Sequence, residues 1–148
     1  MASTYRIRPA IAEDAAALAA SSAQLGYPSD TTAIARRLRD IAEHGAGAVL
    51  VAEFGDGGIA GWAHVLPQRR MEHEPNVELA GLIVDENRRG AGVGAALLRA
   101  VETWTRGHGL TDIVVRSNVI RARAHRFYLR EGYAEKKRQA VFVKKLRV

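Results

Sequence analysis

The stretch Leu82-Ile83-Val84-Asp85 runs through Glu86-Asn87-Arg88 into Arg89-Gly90-Ala91-Gly92-Val93-Gly94, and it decides the fold. An apolar strand pattern ends at Val84, and an amphipathic helical pattern begins at about Gly92. Glycines let backbone N–H groups converge without obstruction by Cβ atoms, and a helix N-terminus presents the positive end of its dipole. The stretch therefore predicts a strand, a turn that suits phosphate oxygens, and a helix. Glycines that only cap a tight turn are the alternative.

Two other phosphate-binding motifs fit this glycine turn less well. A Walker loop needs Gly-Lys-Ser/Thr after its last glycine, whereas Gly94 is followed by Ala95-Ala96. The relaxed dinucleotide fingerprint is met by Gly90-x-Gly92-x-x-Ala95, with Asp112 about twenty residues downstream. However, the turn that begins at Asp85 is long for that motif, and too few elements follow to complete such a sheet.

The whole chain, residues 1–148, is predicted to be one mixed α/β domain of order βααβββαβαβ. Strands are expected at 5–8, 48–54, 59–66, 77–84, 113–115 and 140–146. Helices are expected at 12–25, from the N-cap Ser29-Asp30 to Gly45, at 92–107 and at 121–131. Gly55-Asp56-Gly57-Gly58 is a hairpin signal, and Pro67 through Pro75 is expected to be a polar loop.

Composition and charge limit the function classes. The chain has no cysteine, which excludes a disulfide framework, a Cys-ligated zinc site and a thiol nucleophile; we expect no metal site. The net charge of +6 is concentrated in residues 116–148, which carry 11 Lys and Arg against two acidic residues. No RNA-module signature accompanies that charge, so we expect no nucleic-acid partner. No stretch approaches membrane-spanning length and no signal peptide is recognisable, so we expect a cytoplasmic protein without a membrane partner.

Three motifs in order resemble the GNAT acetyltransferase superfamily. Arg89-x-x-Gly92-x-Gly94 is similar to the family's pyrophosphate-binding motif, Gln/Arg-x-x-Gly-x-Gly/Ala, between its fourth strand and third helix. Ser117-Asn118 then ends the next strand, and Ala124-His125-x-Phe127-Tyr128-x-x-x-Gly132-Tyr133 follows. The resemblance covers residues 77–146. Residues 124–133 also resemble the corresponding stretch of aminoalkylphosphonate and aminoglycoside-type small-molecule acetyltransferases.

The resemblance implies a mixed, mostly antiparallel central sheet that splays between strands 4 and 5, with about four flanking helices. It also implies acetyl-CoA as co-substrate. Backbone groups of Leu82, Ile83 and Val84, exposed by a bulge, would bind the pantetheine arm. The backbone amides around the pyrophosphate would be those of Arg89, Gly90, Ala91, Gly92, Val93 and Gly94. Asn118 would bond the pantetheine portion, or serve only as a turn residue. The candidates for the 3′-phosphate are Arg121, Arg123 and Arg126.

The implied function is that of an N-acetyltransferase, which moves the acetyl group to the primary amine of a small polar acceptor through a tetrahedral intermediate. An alkyl amine is protonated near neutral pH and must lose a proton before it attacks. Glu78 resembles the family's general base, although it could be an exposed strand end or an amine-binding anion; His64 and His73 are weaker candidates. Tyr128 matches the tyrosine that protonates the departing sulfur, with a packing role as the alternative.

Two other functions remain open, a protein or peptide N-acetyltransferase and a non-catalytic acyl-CoA sensor. The expected acceptor walls are Gly26-Tyr27-Pro28, the first two helices, and Pro67 through Pro75. Family resemblance also suggests a homodimer, with the last strand as one possible contact.

Overall fold

The computed structural model describes residues 4–26, 30–45, 47–117 and 121–147. The chain forms two compact units, Met1–Arg116 and Ser117–Val148. The first unit contains a five-stranded sheet and three helices, and the second contains a fourth helix. This mixed α/β architecture confirms the fold class expected from the sequence.

The strands and helices are numbered in chain order. The strands are β1 Tyr5–Pro9, β2 Ala48–Phe54, β3 Ile59–Arg70, β4 His73–Val84 and β5 Ile113–Val115. The helices are α1 Ala15–Gln24, α2 Thr31–Glu43, α3 Val93–Gly107 and α4 Ala122–Arg130, and short 3₁₀ turns occupy Ala12–Asp14 and Glu86–Arg88. The N-cap predicted for the second helix is confirmed, because Asp30 Oδ1 accepts a hydrogen bond from Ala33 N at 2.7 Å.

The sheet keeps the order of the chain, β1-β2-β3-β4-β5. Neighbours are antiparallel from β1 to β4, whereas β5 runs parallel to β4, because α3 carries the chain back across the sheet. The β4–β5 pairing covers only Val77–Leu79 against Ile113–Val115, although β4 continues to Val84. Among the described residues of this unit, Ala80–Val84 have β3 as their strand neighbour and none on the other side. This is the expected splay between strands 4 and 5.

The core lies between α3 and the middle of the sheet. The fully buried side chains of α3 are Val93, Leu97, Leu98, Val101 and Thr105. A Cβ atom at Gly61 of β3 would lie 2.6 Å from the Ile83 carbonyl oxygen and 3.3 Å from Leu97 Cδ1. Glycine at this position therefore allows the helix and the two central strands to approach closely, which fixes the start of α3 relative to the end of β4.

A charged network ties β1 to the start of α1. The Arg8 guanidinium donates to both carboxylate oxygens of Asp14 at 2.8 and 2.9 Å, and its Nε donates to Glu53 on β2. Asp14 Oδ2 also accepts from Ile11 N at 2.8 Å. These bonds, chiefly the one from Arg8, hold the pKa of Asp14 below its usual range. The network positions the first helix through a largely buried ion pair.

Replacing Asp14 by Asn is expected to lower the free energy of unfolding by about 2 kcal/mol at neutral pH, because the buried Arg8 loses its bidentate partner. The depressed pKa of Asp14 stabilises the fold above the pKa of an unfolded aspartate, about 4, and this contribution is lost as the pH falls further. Urea unfolding should show a difference in the free energy of unfolding between wild type and Asp14→Asn that is smaller at pH 3 than at pH 7. Glu13→Gln, at the exposed neighbouring residue, is the control, and an equal effect there would contradict the assignment.

The loop expected from Pro67 through Pro75 is wrong for most of its length. β3 continues to Arg70 and β4 begins at His73, so that the two strands form a longer hairpin. Pro67 lies beyond the pairing of β3 with β2, which stops at Val65, and Pro75 lies before the pairing of β4 with β5. Each proline therefore sits where its strand has one neighbour, and the missing N–H costs no ladder bond on the free edge.

The strand expected at 140–146 is also wrong. The described residues from 134 to 147 form no strand or helix. Alternating apolar residues make a strand possible, but a strand forms only when its backbone groups find a partner, and none pairs with this segment among the described residues.

None of the helices in the described part of the chain is long and apolar enough to cross a bilayer.

Candidate acetyl-donor site

The loop between β4 and α3, residues 85–92, is called the glycine loop here. It requires glycine at two positions because of the backbone conformation there. Gly90 has φ +92° and Gly92 has φ +75°, both in the left-handed region that other residues seldom adopt. A Cβ atom at Gly90 would meet nothing within 4 Å, and one at Gly92 would meet only the Tyr5 hydroxyl at 3.8 Å. The glycines therefore serve the course of the backbone, and they leave the loop surface open.

The first backbone amides of α3 have no side-chain cap. Gly92 is the N-cap residue and no side chain caps this end of the helix. The first helical bond runs from Ala96 N to Gly92 O at 3.0 Å, so the amides of Val93, Gly94 and Ala95 have no acceptor within the helix. These amides, together with the positive end of the helix dipole, can bind phosphate oxygens.

The open edge of β4 leads directly into this loop. The register against β3 shifts between His64 and Val65, which pair with Gly81 and Leu79, so that Ala80 is an extra residue in β4. Ala80 is exposed. This bulge lies two residues before Leu82, and the splayed segment Leu82–Val84 follows it. Since β5 does not extend along Leu82–Val84, the backbone groups on this edge of β4 have no strand partner among the described residues of the first unit, and such an edge can pair with an extended ligand arm.

Glu78 lies on β4, immediately before the splay. It pairs with Leu66 of β3 and Val114 of β5, and its carboxylate Oε1 accepts from Arg116 Nη1. The Glu78 side chain is 18% exposed and that of Arg116 is 44% exposed. Glu78 is therefore an ion-paired, mostly buried carboxylate near the start of the open edge, and not an exposed strand end.

The two histidines considered as bases lie in different surroundings. His64 is half-buried on β3 opposite Gly81, and His73 is exposed at the first position of β4. Strand alternation puts His64 on the same face of the sheet as Trp62 and Glu78. The Trp62 ring covers Gly81, where a Cβ atom would approach it to 2.9 Å. His64 thus shares a face with the carboxylate, whereas His73 is paired with Arg70 at the far end of the hairpin.

Tyr128 belongs to the second unit and lies near the end of α4. Its ring makes edge contacts with Phe127 at 5.3 Å and with Tyr133 at 5.9 Å between centroids. Burial raises the pKa of Tyr128 to about 12, so the hydroxyl stays protonated throughout the neutral range. It can donate a proton or a hydrogen bond there. Asn118, expected to bond the pantetheine portion, lies outside the described residues.

Sequence reasoning missed three side chains that contact the predicted site. Arg116 binds Glu78, Asp56 binds Arg88 of the glycine loop, and Gln24 bonds the start of that loop. Arg116 follows Val114 by two residues, and strand alternation puts both on one face, so an accurate β4–β5 register would have found it. Nothing in the sequence signals the contacts of Asp56 and Gln24, which depend on tertiary packing.

Comparison with known proteins agrees with this geometry. The family described as "Acetyltransferase (GNAT) family" matches residues 14–133. An aminoglycoside N(6′)-acetyltransferase type 1 from Stenotrophomonas maltophilia is 33% identical over 150 residues, covering 96% of this chain and 94% of that protein.

Two solved structures show the same fold. An aminoglycoside N-acetyltransferase in complex with CoA superposes with a TM-score of 0.85 at 20% identity, covering 99% of this chain and 98% of that one. An aminoglycoside antibiotic 6′-N-acetyltransferase from Acinetobacter baumannii gives a TM-score of 0.83 at 17% identity, covering 97% and 99%. With its splayed sheet, glycine loop and match over most of its length, this chain belongs to the GNAT acetyltransferase family and is an acetyl-CoA-dependent N-acetyltransferase.

Proposed function

We propose that the protein transfers the acetyl group of acetyl-CoA to the primary amine of a small polar acceptor by direct attack. The observation that carries the proposal is the surface formed, within the described part of the first unit, by the splayed edge of β4 and the uncapped start of α3. β4 pairs with β5 only as far as Leu79, and the amides at Val93–Ala95 have no acceptor within α3. An extended thioester arm with a pyrophosphate at its end fits such a surface.

The donor is proposed to lie along this surface with its pantetheine arm beside β4 and its pyrophosphate at the start of α3. Backbone groups of Leu82, Ile83 and Val84 bond the pantetheine arm as a neighbouring strand would. The amides from Arg89 to Gly94 surround the pyrophosphate, and the exposed Arg89 side chain adds positive charge. Asn118 is proposed to bond the pantetheine portion.

The proposed chemistry has three proton and charge requirements. Glu78 removes a proton from the acceptor ammonium, directly or through water, and the amine lone pair then attacks the thioester carbon. A backbone N–H of Leu82–Val84 stabilises the oxyanion of the tetrahedral intermediate. When the carbon–sulfur bond breaks, the Tyr128 hydroxyl donates a hydrogen bond to the departing thiolate, and the second proton that the nitrogen loses as the amide forms ends on the sulfur. Arg116 engages Oε1 of Glu78, and a carboxylate has a second oxygen that can receive the proton.

The acceptor is proposed to be an aminoglycoside-like polyamine sugar. Support comes from the 33% identity to a protein named for acetylating the 6′ position of aminoglycosides. The face of the sheet that carries Glu78 also has two buried polar atoms, Trp62 Nε1 and Asn76 Oδ1, without hydrogen-bond partners within the described part of the chain. Buried polar atoms without partners are rare in folded proteins, and a bound polar ligand is one way to satisfy them.

The test is calorimetric titration of CoA followed by acetylation assays on an amine panel. The panel contains matched aminoglycosides that carry either an amine or a hydroxyl at the 6′ position, other small amines, and peptides with free N-termini or lysines. We expect CoA to bind and only the 6′-amine member of each pair to be acetylated. CoA binding without turnover of any amine would favour the sensor, and turnover of peptides alone would favour the peptide acetyltransferase. Absence of CoA binding would contradict the proposal as a whole.

We also propose that the protein is a homodimer, and a cytoplasmic location stays a prediction. In the segment from 134 to 147, Val141, Phe142, Val143 and Leu146 are 79–93% exposed. Clustered exposed apolar side chains are typical of interaction surfaces.

The dimer can be tested by light scattering. We expect a solution mass of two chains, and Phe142→Asp combined with Val143→Asp should give one chain at the same concentration. Met71→Asp is the control, because Met71 is fully exposed but lies on the β3–β4 turn. A monomeric wild-type protein would contradict the proposal.

A further inference from the structure

Arg88 lies in the middle of the glycine loop, yet its side chain is bound by another part of the first unit. Its Nη2 atom donates to Asp56 Oδ2 at 3.2 Å, and its guanidinium carbon lies 4.5 Å from the centroid of the Phe54 ring. A Cβ atom at Gly58 would lie 2.7 Å from Nη2, so glycine there leaves room for the guanidinium. The turn between β2 and β3 thus holds Arg88 by charge and by stacking.

Asp56 is built into this turn before it meets Arg88. Its Oδ1 atom accepts from Gly58 N at 2.7 Å, which leaves Oδ2 for the arginine. The bond from Gly58, followed by that from Arg88, holds the pKa of Asp56 below its usual range. The carboxylate is therefore charged at neutral pH, and its two oxygens have separate roles.

Two further contacts hold the loop on either side of Arg88. Gln24, the last residue of α1, accepts from Glu86 N at 3.1 Å and donates to Asp85 Oδ1 at 3.3 Å. Tyr5 on β1 donates its hydroxyl to the Ala91 carbonyl oxygen at 3.3 Å. Tyr5 also packs edge-on against Phe54, with ring centroids 5.5 Å apart. The loop is therefore anchored before, at and after Arg88 by elements that lie outside it.

We infer that Arg88 is a positioning residue, a clamp that holds the glycine loop against the β2–β3 turn. Of the two neighbouring arginines, Arg89 is then the one that faces the donor phosphates. A loop held in its binding conformation does not lose that conformational freedom when the ligand binds, so the clamp increases affinity for CoA. This inference rests on the proposed function of the loop. It adds a role for Asp56, which acts through Arg88 and does not itself contact the phosphates.

The decisive variant is Asp56→Asn, because the amide oxygen can keep the bond from Gly58 N while the charge opposite Arg88 is lost. If Arg88 is a clamp, the variant should bind CoA about 2- to 5-fold more weakly, in keeping with a partly exposed ion pair, with kcat unchanged. If Arg88 instead contacted phosphate, Asp56 would compete with the ligand. Asp56→Asn would then bind CoA more tightly.

Two further variants test the same contact from the other side. Arg88→Gln removes both the ion pair and the stacking on Phe54, and should weaken CoA binding about 3- to 10-fold. Arg88→Lys keeps the charge and should recover part of that loss. The double variant of Asp56→Asn and Arg88→Gln should be no weaker than Arg88→Gln alone, because both changes break one contact. Asp40→Asn, on the exposed face of α2, is the matched control.

Calorimetric CoA titration, steady-state kinetics and amide hydrogen exchange over residues 86–95 would be measured for each variant, with thermal unfolding as a check on the fold. Faster exchange in this segment together with weaker binding supports the clamp. Unchanged or tighter CoA binding by Asp56→Asn overturns it. If the wild-type protein does not bind CoA, the proposed function fails; if it binds and Asp56→Asn has no effect, only the clamp fails.

Discussion

Replacing Tyr128 by Phe is expected to lower turnover by up to about 10²-fold, with little change in affinity for acetyl-CoA. Its hydroxyl is protonated at neutral pH because burial raises its pKa to about 12. An alkyl thiol has a pKa of about 8.5, so complete proton transfer from the tyrosine to a free thiolate is unfavourable. The expected benefit is therefore a hydrogen bond that strengthens as negative charge develops on the sulfur, and this explains why the predicted loss is moderate.

Tyr133→Phe is the matched control for this experiment, since Tyr133 is half-buried and its ring makes an edge contact with the ring of Tyr128. Single-turnover measurements at saturating acetyl-CoA would separate the acetyl-transfer step from binding and product release. A donor with a more acidic thiol as leaving group should narrow the gap between wild type and Tyr128→Phe. An unaltered rate in Tyr128→Phe would exclude Tyr128 from the mechanism and leave it a packing role.

Replacing Glu78 by Gln is expected to lower turnover by about 10²-fold at neutral pH, because the amide cannot take the proton of the acceptor ammonium. The loss should diminish as the pH rises towards 10, since a growing fraction of an alkyl amine is then deprotonated in solution and needs no base. The measurement is kcat/KM for one amine acceptor between pH 6 and pH 10.

The ion pair with Arg116 makes a structural role the main competitor for Glu78. Thermal unfolding of Glu78→Gln and Arg116→Lys separates the two roles, because a purely structural carboxylate would affect stability and leave the pH dependence of the rate unchanged. Glu74→Gln, at an exposed position on the same strand, is the control. A constant ratio of variant to wild-type rate across the pH range would exclude the base role.

Where a motif is local, the sequence predicted the structure well. Gly55-Asp56-Gly57-Gly58 makes the hairpin turn between β2 and β3, with Phe54 N bonding Gly58 O at 2.9 Å. The helix expected at 121–131 is α4, Ala122–Arg130, and the strand at Ile113–Val115 has the expected bounds. Each of these depends on backbone preferences of adjacent residues, which the sequence contains directly.

Where the structure depends on a partner far along the chain, the sequence alone was insufficient. Pro67 through Pro75 was expected to be a loop. Instead, β3 continues past Pro67 and β4 begins before Pro75, and each proline lies where its strand has only one paired neighbour. The segment 140–146 has a strand pattern and remains without regular structure. A strand pattern specifies which residues alternate, while pairing is decided by the neighbour that the fold brings alongside.

The glycine loop shows the same division within a single functional element. Its positive φ angles at Gly90 and Gly92, and its place between a strand and a helix, were determined by the sequence itself, because only glycine adopts those angles without strain. The tertiary structure decided that Arg88 turns to Asp56, 32 residues away, and that Glu78 pairs with Arg116, 38 residues away. Both contacts follow from the packing and register of the sheet, which depend on the whole first unit and cannot be deduced from the residues that make them.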